Sequence, residues 1–253
     1  MKPHILLAAF ATCSATAFAG LTWTSPNQPD QDTLVLYHLD ESGDQLLDSG
    51  PKKRNARVRN SSSLVKEPPA WMASPAGGFL SPIGEGSSST GMAENVQVDG
   101  VDFNKGLTVS FWYRAVEGAA QAGELFQMEN PRVRVALDDY GSNSNGRLQL
   151  QAPGLAAGDP APMADFGAEN AWRHVAVVYK PRNQSAKEGG TWTLLLDGIP
   201  AGSVNDPNDL AERTGFALRI GGNTFDNGPM QGGQIDEFLI TNRVLTDFSA
   251  PSR

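Results

Sequence analysis

Asp236 is the carboxylate whose position first raises a chemical question. It lies in the apolar run Ile235–Ile240 and alternates in phase with Phe238 and Ile240. An acid turned toward core residues needs a partner, because burying an unpaired charge is costly. Its neighbour Glu237 alternates to the opposite face. Asp138 and Asp139 are adjacent, so on a strand they would face opposite ways, and Asn145-Gly146 nearby reads as a turn. His38 and His174 each fall within a strand pattern, where packing or hydrogen bonding accounts for them. No His-x-x-x-His or cysteine pair offers zinc ligands. No Gly-x-Ser-x-Gly elbow supports a serine nucleophile. Gly221-Gly222 and Gly232-Gly233 border strands and read as turns or bulges, not as a phosphate loop.

Trp71, Phe79, Tyr140 and Phe225 sit in or beside loop-like stretches. An exposed subset would suit sugar rings, which stack on aromatic faces; tucked over the core, they are packing residues, and that is the simpler reading. Trp112, Trp172 and Trp192 belong to strand patterns and pack in or beside the core.

The frame around these residues is acidic and rich in turns. Among 253 residues, 20 Lys and Arg face 28 Asp and Glu, a net charge of −8. That excludes a nucleic-acid partner, which needs clustered basic residues. The one basic run, Lys52-Lys53-Arg54 with Arg57 and Arg59, is short and reads as a solvated loop. With 40% hydrophobic and 19% charged residues the chain can bury a core and is not disordered by composition. Residues 1–19 form a signal peptide: Lys2, the apolar run Ile5–Ala11, and Ala17-Phe18-Ala19 before Gly20. The chain is therefore expected outside the cytoplasm, secreted, periplasmic or at the cell surface. No later run is long enough for a transmembrane segment in the mature chain. His4 and the sole cysteine, Cys13, leave with the leader. Lipidation of Cys13 is the weaker alternative, because Thr12 is large for the position before it. Without disulfides, the core itself must hold the fold.

Short apolar, β-branched segments recur between Gly, Pro, Asn and Asp clusters. The clearest are Leu34–Leu39, Val96–Val98, Leu107–Arg114, Leu125–Met128, Arg132–Leu137, Leu148–Gln151, Trp172–Lys180, Thr191–Leu196, Ala217–Ile220 and Ile235–Ile240. Leu107, Val109, Phe111 and Tyr113 take one face of their strand. Trp172–Lys180 is apolar on nearly both faces, as a central strand would be. Asp197-Gly198 is the strongest hairpin signal, joining Thr191–Leu196 to Ile199–Val204. No long amphipathic helix is apparent. The reading is an all-β, two-sheet antiparallel sandwich in one domain.

Four blocks in order carry a resemblance. They are Leu36-Tyr37-His38-Leu39-Asp40-Glu41-Ser42-Gly43 with Leu47-Asp48-Ser49-Gly50; Leu107–Arg114; Trp172-Arg173-His174-Val175 through Tyr179 with Leu194–Gly198; and Leu218–Gly222 with Gly233–Phe238 and Arg243–Thr246. The chain resembles the laminin-G-like, concanavalin A-like lectin/glucanase jelly-roll domains of exported bacterial proteins. The resemblance implies a lead-in at 20–33, the jelly roll at 34–248 and a tail at 249–253. It also implies a structural calcium, with Asp48 from an early loop and Asp236 from a late strand as ligands and backbone carbonyls completing the shell. The alternative leaves Asp236 accepting N–H groups with no metal. Catalytic relatives carry Glu-x-Asp-x-Glu on one strand face; here Gln234 and Phe238 stand where the glutamates should be. The expected function is a non-catalytic module binding a glycan or a cell-surface or envelope protein. The alternatives are an envelope scaffold without glycan affinity and a glycoside hydrolase of the same fold. The stretch Asn60–Gly91 matches little, and sequence assigns it no strands.

Overall fold

The computed structural model describes residues 26–41, 45–57, 62–65, 79–82, 93–115, 123–137, 146–156, 159–166, 171–221 and 233–248. The leader with Cys13, Trp71, Asp138, Asp139, Tyr140, Phe225 and the tail 249–253 lie outside these residues. The strands are β1 (Thr33–Tyr37), β2 (Gln45–Leu46), β3 (Ala56–Arg57), β4 (Ser62–Val65), β5 (Phe79–Pro82), β6 (Ala93–Asp99), β7 (Leu107–Ala115), β8 (Glu124–Glu129), β9 (Val133–Leu137), β10 (Arg147–Gln151), β11 (Met163–Asp165), β12 (Trp172–Pro181), β13 (Gly190–Leu196), β14 (Ile199–Asp206), β15 (Gly215–Ile220) and β16 (Gly233–Thr241). Two short 3-10 turns, Arg182–Gln184 and Ala186–Glu188, are the helical structure among the described residues.

The strands make two large antiparallel sheets and a small β2–β3 ribbon. One large sheet runs β14-β13-β12-β7-β16-β5-β4. In it β1 pairs with Phe238–Thr241 of β16 and β5 pairs at Ile235, so β1 and β5 share one edge of β16 end to end. The other sheet runs β11-β10-β9-β8-β15-β6. Alternating residues close the core between them: Val109, Phe111 and Tyr113 of β7, Val175 and Val177 of β12, Phe126 and Met128 of β8, and Leu218 and Ile220 of β15. Phe111 stacks on Phe238 at 5.6 Å within one sheet and meets Phe126 of the other edge-on at 5.8 Å. Such ring pairs add about 0.5–1.5 kcal/mol beyond area burial. The chain is thus the all-β, two-sheet sandwich that its alternation indicates.

Local chemistry fixes several corners. Asp197 and Gly198 adopt φ of 50° and 77°, the left-handed pair of a tight hairpin between β13 and β14. The Asp197 carboxylate then accepts the His174 backbone N–H at 2.8 Å and the Arg173 Nε at 2.5 Å. In two places the structure departs from the sequence expectation. The Asn60–Gly91 stretch supplies β4 and β5, which extend the larger sheet. Met163–Asp165 forms a short edge strand against β10.

The outer faces of the two sheets differ. After β16, residues 242–248 cross the outside of the larger sheet. Thr108 Oγ1 donates to the Arg243 carbonyl at 2.7 Å and accepts the Leu245 N–H at 3.0 Å. Phe248 lands in a second apolar cluster with Trp112, Ala176, Val178 and Leu195, flanked by Trp172, Val244 and Leu245. This cover makes both faces of β12 apolar.

Candidate functional site

The sequence places Asp236 in phase with Phe238, and the structure corrects that. Trp112 pairs with Asp236 and Ser110 with Leu239, so one extra residue is inserted into β16. Ile235 and Phe238 therefore both face the inter-sheet core, and Asp236 turns to the outer side with Trp112. Glu237 takes up the extra residue with φ of 50°, a left-handed conformation that non-glycine residues seldom adopt. Its backbone N–H donates to Asp236 Oδ1 at 2.8 Å. Glu237 Oε2 accepts the Asn27 N–H at 2.9 Å, and Oε1 lies 2.7 Å from His38 Nδ1.

Both carboxyl groups are fully shielded from solvent. Burial pushes the Asp236 pKa well above the ordinary carboxylate value, and the Glu237 charge adds to this; the Glu237 N–H opposes it and Asp40 raises it further. Burial pulls the His38 pKa down, but its hydrogen bond to Glu237 and the charges of Glu237, Asp40 and Glu41 outweigh it, so the net shift is upward. This cluster ties the lead-in and β1 to the last strand. Sealed as it is, it gives no substrate access to Asp236 or Glu237. The other strand histidine, His174, is buried between Trp112 at 5.5 Å and Phe248 at 5.0 Å. Burial lowers its pKa to about 3, so it is a neutral packing residue at physiological pH.

Asp48 is engaged elsewhere. Its Oδ1 accepts the N–H groups of Leu36 at 2.9 Å and Gly50 at 2.8 Å, and its Oδ2 accepts that of Arg54 at 2.7 Å. A Cβ at Gly50 would come within 2.8 Å of Asp48 Oδ1, so a larger residue there would push this carboxylate out of place. The carboxylate organises the turn from 48 to 54 and pins it to β1. A calcium needs about six to eight oxygens, several of them carboxylate oxygens free to coordinate. Asp48 and Asp236 share no hydrogen-bond partner, and no group of three or more His, Cys, Asp and Glu suited to a metal occurs among the described residues. Both oxygens of Asp48 are thus already engaged by backbone N–H groups.

The outer face of the six-stranded sheet is of another kind. In register across four neighbouring strands stand Arg219 of β15, Gln127 of β8, Arg134 of β9 and Gln151 of β10. A bulge between Glu124 and Phe126 brings Glu124 onto this same face. Arg134 Nη1 pairs with Glu124 Oε1, and Arg134 Nε donates to Gln151 Oε1 at 2.7 Å. Gln151 Nε2 donates to Gln149 Oε1 at 3.1 Å. Gln127 Nε2 donates to Glu129 Oε1, and Arg219 Nη1 lies 3.8 Å from the same oxygen. Gln127 and Glu124 are buried, whereas Arg134, Gln149, Gln151 and Glu129 are half-buried around them. Among the described residues Gln127 Oε1 has no hydrogen-bond partner. The result is a shielded row of planar amides and guanidinium groups, donors and acceptors side by side.

Sequence reasoning passed over these residues. The Arg-x-Gln-x-Gln alternation of β10 is visible in the chain, but that it lines up with Arg134, Gln127 and Arg219 follows only from the registers of three strand pairs.

Two antiparallel sheets enclosing one core, one outer face closed by the chain's own C-terminal segment and the other polar, define a jelly-roll β-sandwich. The chain belongs to the concanavalin A-like lectin/glucanases superfamily, whose sequence model matches residues 89–248. No curated protein sequence matches it. Among solved structures it is similar to a Trypanosoma rangeli sialidase in complex with sialic acid, with a TM-score of 0.53 and 16% identity over 86% of this chain and 32% of that one. It is also similar to the binding domain of botulinum neurotoxin serotype D, with a TM-score of 0.50 and 15% identity over 85% of this chain and 48% of that one. The chain thus spans well under two thirds of either, and at these identities the likeness concerns the fold. No helix among the described residues is long and apolar enough to cross a membrane.

Proposed function

We propose that this protein is an exported, non-catalytic β-sandwich module that binds carbohydrate through the outer face of its six-stranded sheet. The observation that carries the reading is the row Arg219, Gln127, Arg134 and Gln151, with Gln127 Oε1 buried at its centre and unpartnered among the described residues. A buried acceptor without a partner costs about 1–3 kcal/mol, which a ligand hydroxyl would recover once the half-buried Arg134 and Gln151 side chains beside it move aside. Paired planar donors and acceptors match the spaced hydroxyls of a sugar. On the larger sheet residues 242–248 cover the centre of the outer face, and among the described residues the shorter row Trp172, Arg114 and Gln234 lies beside them. Two features support a non-catalytic role: the Glu-x-Asp-x-Glu face is absent, and Asp236 and Glu237 are sealed.

The test is retention of the mature protein on an immobilised polysaccharide panel, alongside the Arg134→Ala and Gln151→Ala variants. Retention of the parent, weakened at least about tenfold in either variant, supports the site. Absence of retention on every polysaccharide defeats the reading, and release of reducing ends from a retained polysaccharide defeats its non-catalytic part.

A further inference from the structure

The geometry points to an uncharged glycan as the ligand of this face, with acidic sugars excluded. This inference rests on the carbohydrate reading above and narrows its chemical class.

The two arginines of the row are each already faced by a carboxylate from β8. Arg134 is paired with Glu124, and Arg219 lies near Glu129. On the next strand pair Arg147 stands in register opposite Asp165. The edge strand β6 adds Asp99 and no basic side chain at its described outer positions. The face thus presents guanidinium groups without a net positive field. A ligand carboxylate or sulfate would seek the bidentate geometry of arginine, but it would have to displace Glu124 or lie against it. Glu124 is fully buried, so a displaced carboxylate would stay nearby, uncompensated, in a low-dielectric setting.

The centre of the row makes the same demand from the other side. Gln127 Nε2 is committed to the Glu129 carboxylate, an acceptor only, and this fixes the amide with Oε1 turned away from it. What the site lacks at Gln127 is therefore a donor. A sugar hydroxyl supplies one; an ionised carboxylate or sulfate group does not. The row crosses four strands, or roughly 14 Å at ~4.8 Å per strand spacing, enough for a few sugar rings laid across the sheet.

The experiment compares retention of the mature protein on neutral polysaccharides (unsubstituted glucan, xylan and galactomannan) with retention on polygalacturonate and polysialic acid, at low and at high salt. Retention by a neutral polymer that changes less than about twofold with salt, with none on the acidic polymers, is the expected result. In the Glu129→Gln variant, which removes the charge facing buried Arg219, salt-sensitive retention on polygalacturonate should appear. Glu124→Gln should do the same, and circular dichroism checks that each variant is folded. Salt-sensitive retention of the unaltered protein on either acidic polymer overturns the inference and leaves the carbohydrate reading standing. Retention on no polymer of either kind overturns that reading, and this inference with it.

Discussion

Glu237 and His38 are 199 residues apart in the chain and 2.7 Å apart in the structure. The contact exists because β16 is bulged at Glu237 and lies against β1, which ends one residue before His38. The same glutamate caps the Asn27 N–H, so one side chain fastens the lead-in, the first strand and the last strand together.

The folded-state pKa of His38 is raised. The imidazolium–carboxylate pair therefore contributes its full stability below the ordinary histidine value of about 6.5 and loses it as pH rises through the folded value. His38→Ala is expected to cost about 1–3 kcal/mol at pH 5.5, because it leaves a buried glutamate with one partner fewer. The cost should shrink at pH 9. Denaturant midpoints of the two proteins across this range check it, and a deficit that does not vary with pH would show that the pair is not charged.

Asp236 is expected to behave in the same direction, one residue away. Its pKa is raised by burial first and by the neighbouring Glu237 charge second. A raised carboxyl pKa favours the fold fully below its unfolded value, near 4, and that contribution is lost as pH rises toward the folded value. Asp236→Asn keeps the acceptor for the Glu237 N–H and removes the ionisable group. It should raise the melting midpoint at pH 7, with the advantage fading toward pH 4. A lower midpoint at pH 7 would mean that Asp236 is charged and paired in the fold.

His174 works against these two groups. Its pKa is lowered to about 3 by burial. Its contribution is therefore complete above the ordinary histidine value and is lost as pH falls from there toward 3. The loss should approach about 1.4 kcal/mol per pH unit in that window. His174→Gln should flatten the acid limb of the stability–pH curve even if it lowers the plateau. An acid limb of unchanged slope would assign acid unfolding to other groups.

Much of the scaffold is legible in the chain. Leu107, Val109, Phe111 and Tyr113 announce β7 by their alternation, and Asp197-Gly198 announces a hairpin by the φ values these residues tolerate. Asp236 shows where such reasoning stops. Strict alternation assigns it the core side with Phe238, yet Glu237 takes a left-handed φ that nothing in the residue type signals, and the phase reverses. The polar row on the six-stranded sheet was hidden for a related reason. Gln127, Arg134, Gln151 and Arg219 look like ordinary polar positions on four separate strands; they become a row only through cross-strand register, a long-range property.

Asp48 distinguishes a turn-organising carboxylate from a metal ligand. Removing it strands the N–H groups of Leu36, Gly50 and Arg54, each bonded to it within 2.9 Å. Asp48→Ala is expected to cost about 3 kcal/mol or more. A chelator should leave the melting midpoint of the unaltered protein unchanged, and purified protein should carry no stoichiometric calcium. A midpoint that falls with chelator and returns with calcium would restore a metal to the fold.

Phe248 covers the outer face of the larger sheet, with His174 5.0 Å away and Trp112 in the same cluster. Its side chain is 3% exposed. Thr108, bonded to both Arg243 and Leu245, holds the approach to it. Phe248→Ala is expected to cost about 2–4 kcal/mol, toward the lower end of core phenylalanine truncations, because the segment can partly settle into the vacated space. It should also wet Trp112, which is 2% exposed beneath the segment, and shift tryptophan emission to longer wavelength. The proposed carbohydrate face lies on the other sheet, so retention on the polysaccharide that holds the parent should be unchanged within about twofold in the folded variant. Loss of retention with the fold intact would move the binding face to the sheet that Phe248 covers.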